Sequence, residues 1–415
     1  MKKLLTTTIF LFAFFCLKAQ TSWVQKQDFP GDSRLLPTTF TIGSKGYVAG
    51  GYRNSTGQPT NENWEYNAQT NQWTLKNPVP GVNRWGAISF AIDGKGYVGG
   101  GNTGTPGFPA YVNDFWEYNP STNAWVVKQN IGDHARYQST SFVINEKGYV
   151  ALGYRSAQGE RDLSVWKYDP VVNEWNRVGD VPSNMAIGTI VADVPAIGFV
   201  LEDEAFLTGG LVNSETWRYR SSNDSWVKKK NVTLNAYSGF VIGNDGYAVG
   251  ERFLDNQWEE VIMKYDKSSN EWSKVDDLPS QLPPQSSKMF SLTPCETKAI
   301  VGTGNGRFYS YENTTVATTS GPSLLCNNAQ GTYSLNNVPA GTSITWSKSS
   351  NLTITSGQGT SSVTVRGASS GSGSGWVKAT LSNACGNVVL DQYDVWVGKP
   401  LNQPGGKSGS LICSA

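Results

Sequence analysis

Arg34, Arg84 and Arg136 each stand twelve residues before a glycine that is followed by tyrosine, at Gly46, Gly96 and Gly148. A guanidinium repeated in one register can serve two chemistries. Gathered at one mouth, such forks bind carboxylates bidentately. Trp85 and Tyr137 directly follow two of these arginines, and Arg53 and Arg155 each follow a further Gly-Tyr pair at the start of a long loop. Together the seven residues would form a one-sided basic pocket with aromatic walls, suited to an acidic sugar or an acidic peptide. Spent internally, the same arginines would pair with Asp32, Asp114, Asp133 or Glu160 and pack the junctions between repeats. Both readings stay open at this stage, because a repeated sequence produces a repeated residue under either.

Other chemistry is thinly represented. His134 is the single histidine, which makes a His-containing catalytic triad or a His-rich metal site a poor fit. No CxxC-type pair, P-loop or EF-hand loop is present, so neither a metal nor a cofactor is expected and no catalytic residue is assigned. The net charge of +1 gives no overall attraction to nucleic acid, and the longest basic run is Lys228-Lys229-Lys230.

The ends of the chain indicate its compartment. Two lysines, an apolar run from Leu4 to Leu17 and then Ala19 read as a secretory signal peptide over residues 1–19, cleaved after Ala19. Phe15 before Cys16 does not suit lipidation. The expectation is an exported chain, secreted, periplasmic or at the cell surface of a bacterium, monomeric and without a transmembrane segment once mature. In such a chain Cys326 and Cys385 are expected to form a disulfide, closing a loop of roughly 60 residues worth about 4 kcal/mol. Cys295 and Cys413 have no obvious partners.

The arginines need a scaffold, and the chain repeats one. Tyr66, Tyr118, Tyr168, Tyr219, Tyr265 and Tyr311 recur at intervals of 46 to 52 residues. The first five are followed seven residues later by Trp73, Trp125, Trp175, Trp226 and Trp272. Upstream lie "KGYVAGG", "KGYVGGG", "KGYVALG" and "DGYAVG", with "EAFLTGG" in the fourth unit. Each unit holds about four short alternating runs between turn residues, the pattern of a four-stranded antiparallel sheet. One such sheet cannot cover both its faces, and stacking around an axis lets each cover the next. The sixth unit has Thr318 where tryptophan is due, while Trp23 and Pro30 near the start of the chain show the missing spacing. The N-terminal strand is therefore expected to complete the last sheet and close the ring.

Residues 20–318 resemble the kelch-repeat propeller family, in which a period near 50 carries glycine doublets and spaced aromatics. The resemblance implies an all-β, six-bladed β-propeller. That family includes protein-binding scaffolds, a copper radical oxidase of galactose and a sialic acid mutarotase, so fold does not settle activity. One histidine excludes a copper site of the oxidase kind, which resembles two His with two Tyr. From residue 319 the composition shifts to Thr, Ser, Val and Ile between glycine-rich turns, with Cys326, Trp346 and Cys385 in order. Residues 319–399 resemble a PKD-like domain, a small Ig-like β-sandwich, and 400–415 read as a disordered tail or truncated linker.

Long second-to-third strand connections, such as "YRNSTGQPTNEN" and "NTGTPGFPAYVND", put the variable loops on one face. The resulting expectation is a non-catalytic binding or scaffold protein that uses this face for a protein or carbohydrate partner. The alternatives are a carbohydrate-active enzyme resembling the mutarotase, and a purely structural surface component. An enzyme should place a carboxyl of raised pKa beside the arginines at the channel, and a structural protein should have its channel blocked.

Overall fold

The computed structural model describes residues 22–155, 160–182, 196–209, 215–279, 290–295, 298–303, 306–312, 317–338, 342–383 and 386–399. The proposed signal peptide, Cys385, Cys413 and the tail lie outside the described residues. The described residues form strands and no helix, and so hold no helix long and apolar enough to cross a membrane.

The described residues up to Glu312 hold six four-stranded antiparallel sheets and one small three-stranded sheet, Arg34–Leu35, Tyr52–Arg53 and Gln58–Pro59, at the rim of the first. Blade 1 comprises Thr38–Ile42, Lys45–Ala49, Asn63–Asn67 and Gln72–Lys76, and blades 2, 3, 4 and 5 repeat this meander from Ile88, Thr140, Ile197 and Asn235. Blade 6 takes Phe290–Cys295, Lys298–Gly302 and Phe308–Glu312, and its outer strand is Ser22–Gln25, in register Ser22 with Glu312 and Gln25 with Tyr309. The six innermost strands touch in succession, Phe290–Cys295 returning to Thr38–Ile42, and enclose a cavity of about 520 Å³.

Hydroxyls stitch these inner strands together. Thr38 Oγ1 lies 2.5 Å from Ser89 Oγ, Ser141 Oγ donates to the Ser89 carbonyl at 2.7 Å, and Thr39 Oγ1 donates to the Ser291 carbonyl at 3.0 Å. Near the axis the strands crowd, so short side chains that can still hydrogen-bond fit there. One residue outward, an aromatic ring of blades 1, 2 and 4 lies over the glycine of the next blade's Gly-Tyr pair, and Leu292 of blade 6 takes that place over Gly46. A Cβ at Gly96 would overlap the Phe40 ring, one at Gly148 the Phe90 ring, and one at Gly246 the Phe199 ring. Blades 4 and 6 hold Ala205 and Ala299 at this position, the largest side chains found there.

The repeated tyrosine and tryptophan form a clasp between blades. In blade 2, the buried Tyr118 hydroxyl donates to Asn123 Oδ1 at 2.9 Å, and the same Oδ1 accepts the Asn77 amide of blade 1 at 3.0 Å. Trp125 Nε1 donates to the Asn77 carbonyl at 3.0 Å. The set recurs as Tyr66, Asn71 and Trp73 on Gln27, as Tyr168, Asn173 and Trp175 on Gln129, and as Tyr265, Asn270 and Trp272 on Lys230. Each turn asparagine sits at positive φ, from 53° to 58°, where asparagine is tolerated better than most residues. The spacing Tyr, Asn five later and Trp seven later thus satisfies both backbone groups of one outer-strand residue in the preceding blade.

Beyond Ala317 lies a sandwich of two sheets. One orders Thr318–Ser320, Gln330–Asn336, Ser362–Gly367 and Leu352–Ser356; the other is built on Gly373–Asn383 with Ser343–Lys348 and Tyr393–Val397 beside it. Trp346 and Tyr333 are buried in its core, and the Trp346 indole donates to the Thr360 carbonyl at 2.9 Å. Cys326 is disulfide-bonded.

Candidate functional site

The register arginines stand at the loop-rich end of blades 1, 2 and 3 and are among the most deeply buried side chains described, with 1 %, 0 % and 1 % exposure for Arg34, Arg84 and Arg136. Arg84 places Nη1 and Nη2 on the two Asp114 carboxylate oxygens at 2.6 and 2.7 Å, and its nitrogens also donate to the carbonyls of Pro80, Val82 and Gly100 at 3.3 Å. Trp116 Nε1 donates to the same Asp114 at 2.9 Å. Blade 1 repeats this lock. Arg34 reaches Glu62 at 2.8 Å and the carbonyls of Asp32 and Gly50, with Trp64 Nε1 on Glu62 at 3.2 Å.

Blade 3 varies the arrangement. Ser164 occupies the acid's position and Asp162, two residues earlier, supplies the charge, 2.8 Å from Arg136 Nη2. Trp166 Nε1 donates to Ser164 Oγ at 2.9 Å. His134 bridges Asp162 and Asp133 through its two ring nitrogens, at 2.8 and 2.5 Å. Among the described residues Arg136 Nε and Nη1 have no hydrogen-bond partner, so this lock is satisfied less completely than the other two. Burial alone would raise the carboxyls of Asp114, Glu62 and Asp162, but the arginines and the indole or hydroxyl donors hold all three below the ordinary carboxylate range.

This geometry corrects the basic-pocket expectation. A buried guanidinium must be matched by acceptors, and here those acceptors are a carboxylate and carbonyls of its own blade. Arg53 pairs with Glu62 and Asp32, and Arg155 with Glu160. Trp85 is buried, donates its indole N–H to the Gly104 carbonyl at 2.9 Å, and meets the rings of Tyr52 and Tyr137 at 5.3 and 5.0 Å. Tyr137 is buried too, stacked on Tyr111 at 5.4 Å. Five of the seven, Arg34, Arg84, Arg136, Trp85 and Tyr137, are thus buried in blade junctions, while Arg53 is part-exposed and Arg155 exposed, each paired with an acid of its own loop.

The channel offers different chemistry on the other side of the ring. Its wall is mostly Ser, Thr, Gly, Ala and aliphatic side chains, with Tyr237 of blade 5 at its edge. Tyr237 hydrogen-bonds Glu251, and Glu251 lies directly across the strand pair from Glu260. Burial, reinforced by the Glu251 charge, holds the Glu260 carboxyl above its usual range. Residue-type and spacing arguments missed this trio. The available signal was "ERFLDNQWEE", two alternating runs around Asp255-Asn256, which marks a hairpin. Among the described residues no three His, Cys, Asp or Glu side chains gather as a metal site requires.

A ring of six four-stranded blades followed by a sandwich defines the class. The kelch motif family model matches residues 34–80, and that of the PKD-like domain matches residues 312–395. The chain thus carries a kelch-type β-propeller followed by a PKD-like domain. It is similar to the solved structure of YjhT, with a TM-score of 0.54 and 18 % identity, covering 69 % of this chain and 95 % of that one; at that identity the likeness concerns the fold alone. Kelch-like protein 25 of Xenopus tropicalis is 27 % identical over 174 residues, 40 % of this chain. The match spans 28 % of that relative's length.

Proposed function

We propose that the protein is an exported, non-catalytic propeller that binds a protein partner through its loop-rich face, as a monomer, with the PKD-like domain as spacer or tether. The observation that carries this reading is the distribution of aromatic rings. Among the described residues the three exposed Phe and Trp side chains stand at this end of the ring, Phe108 on the second-to-third strand connection of blade 2 and Phe253 and Trp258 at the tip of the extended second-to-third strand hairpin of blade 5. Exposed aromatics on a rigid scaffold are favoured anchors in protein interfaces. The kelch motif supports the same reading, since scaffolds for protein binding are common among such propellers. A mutarotase-like activity would need free arginines beside a carboxyl of raised pKa. Here the arginines are engaged in blades 1 to 3, and the carboxyl that rises, Glu260, belongs to blade 5.

A thermal-shift panel of peptides and of acidic and neutral sugars, run on the chain from Gln20 to Ala415, tests the proposal. A ligand at 100 times its Kd stabilises by about 2.7 kcal/mol. Stabilisation by peptides and not by sugars is the expected result. Stabilisation by a sialic acid, with anomer exchange above the spontaneous rate followed by NMR, would contradict it.

A further inference from the structure

Blade 5 has the longest middle strands of the ring. Asp245–Leu254 and Gln257–Asp266 run ten residues each, against five or six in the other blades, and carry the hairpin past the rim. Asp255 and Asn256 join them with φ of 51° and 65°, a two-residue turn whose twist matches that of the strands. The pairing opposes Val249 with Ile262, Glu251 with Glu260, and Phe253 with Trp258. These three pairs alternate with Gly250, Arg252 and Leu254, so they share one face of the ribbon.

That face changes character along its length. Val249 and Ile262 are buried in a cluster with Ala299, Val301 and Tyr309 of blade 6. One step outward come the two glutamates, and at the tip Phe253 and Trp258, 57 % and 54 % exposed, with ring centroids 5.3 Å apart. The corresponding connection of blade 6 spans only residues 303–307, closed by Gly306 N donating to the Thr303 carbonyl. The hairpin tip therefore reaches beyond the described strands of its neighbour. Charge on the opposite face is balanced: Arg252 meets Glu259 at 2.6 Å, and Lys274 meets Glu259 at 2.8 Å. Glu251 and Glu260 have no Lys or Arg partner among the described residues; Tyr237 from the inner strand is the ionisable group that faces them. Like charges directly opposite one another on paired strands are destabilising, and a cation placed between them removes the penalty.

We propose that this face of the blade 5 hairpin docks a protein segment carrying a lysine or arginine next to an apolar side chain, the cation between Glu251 and Glu260 and the apolar group on Phe253 and Trp258. The proposal rests on the reading of the propeller as a protein-binding scaffold and names the surface and the chemistry of the partner. Charge complementarity selects a basic segment over an acidic one, and the aromatic pair selects basic-apolar over basic-polar. The rings also attract the cation directly.

Fluorescence anisotropy with the chain from Gln20 to Ala415 tests it, using labelled decapeptides of alternating Lys and Leu, Glu and Leu, or Lys and Ser. The Lys-Leu peptide is expected to bind at least about tenfold more tightly than the other two, and E251Q/E260Q and F253A/W258A should each weaken it by about tenfold or more. R252Q/E259Q, on the opposite face, should leave the affinity unchanged. Equal binding of the acidic peptide, parent-like binding by the E251Q/E260Q and F253A/W258A variants, or no binding of the Lys-Leu peptide would overturn the proposal. Peptide binding that ignores these four residues would leave the broader scaffold reading intact, whereas sialic acid turnover would remove both.

Discussion

Blades 1, 2 and 3 solve the loop-facing end of a propeller blade with charge; blade 5 solves it with hydrocarbon. In the register of Arg34, Arg84 and Arg136 blade 5 has Leu234; in the register of Glu62, Asp114 and Ser164 it has Val261; and in that of Trp64, Trp116 and Trp166 it has Met263. Leu234 and Val261 are both buried in one cluster with Val232. The whole lock has been exchanged together, because each part needs the others: the guanidinium needs the acid, and the indole N–H needs the same acceptor. A buried ion pair and a well-packed apolar set of similar volume can be nearly equivalent in stability, while half an ion pair is strongly unfavourable. The comparison teaches that recurrence of arginine in a repeat reports the repeat's own packing. The surface we propose for a partner lies where the repeat is broken, on the blade 5 hairpin.

The largest test of this contrast is to remove half a lock. Arg84→Ala should leave Asp114 buried without its cation and lower unfolding stability by about 3–5 kcal/mol in denaturant titrations. The combined Arg84→Leu, Asp114→Val and Trp116→Met variant, which copies blade 5, should recover most of that loss. If it does not, the two solutions are not equivalent and the comparison fails. Gly96→Ala comes next, at about 1–3 kcal/mol, because its Cβ meets the Phe40 ring in a filled core. The opposite change in blade 4, Ala205→Gly, should cost no more than about 1 kcal/mol. Asn123→Ala should cost about 1–2 kcal/mol, since Tyr118 and the Asn77 amide lose one acceptor together.

Acid sharpens the contrast further, because the carboxyls of the two regions shift in opposite directions. Asp114 is held below its ordinary value of 3.8 when folded, so its contribution is complete above that value and is lost as pH falls through the lower folded one. The apolar triple variant of blade 2 should therefore lose less stability on acidification than the parent. Glu260 is raised above 4.5 when folded, so ionising it works against the fold as pH rises through the folded value. Glu260→Gln should stabilise at neutral pH by a few tenths of a kcal/mol, roughly the scale of surface substitutions, and the gain should vanish below pH 4.5.

Much of the fold was legible because it is written in period. Six tyrosines at near-constant spacing fixed the blade count, and Trp23 marked the strand that pairs with Phe308–Glu312. The spacing of Tyr118 and Trp125 marked them as part of a repeated sheet, although the part played by Asn123 in joining two blades is visible only when Asn77 stands beside it. The arginines were legible as a set and not as a function. Burial and pairing decide between a pocket and a lock, and the acids lie about 30 residues away along the chain, at a distance that sequence does not convert into contact. The blade 5 hairpin was overlooked because it departs from the repeat, and a search by register passes over whatever is out of register.

The most direct test of the account is the affinity of the Lys-Leu decapeptide for two folded variants in one anisotropy experiment. The account predicts that Arg84→Leu, Asp114→Val and Trp116→Met together leave the affinity at the parent value, while Glu251→Gln with Glu260→Gln weakens it by about tenfold or more. Loss of binding in the folded blade 2 variant, with binding retained in the blade 5 variant, would place recognition back on the arginine-bearing blades and contradict it.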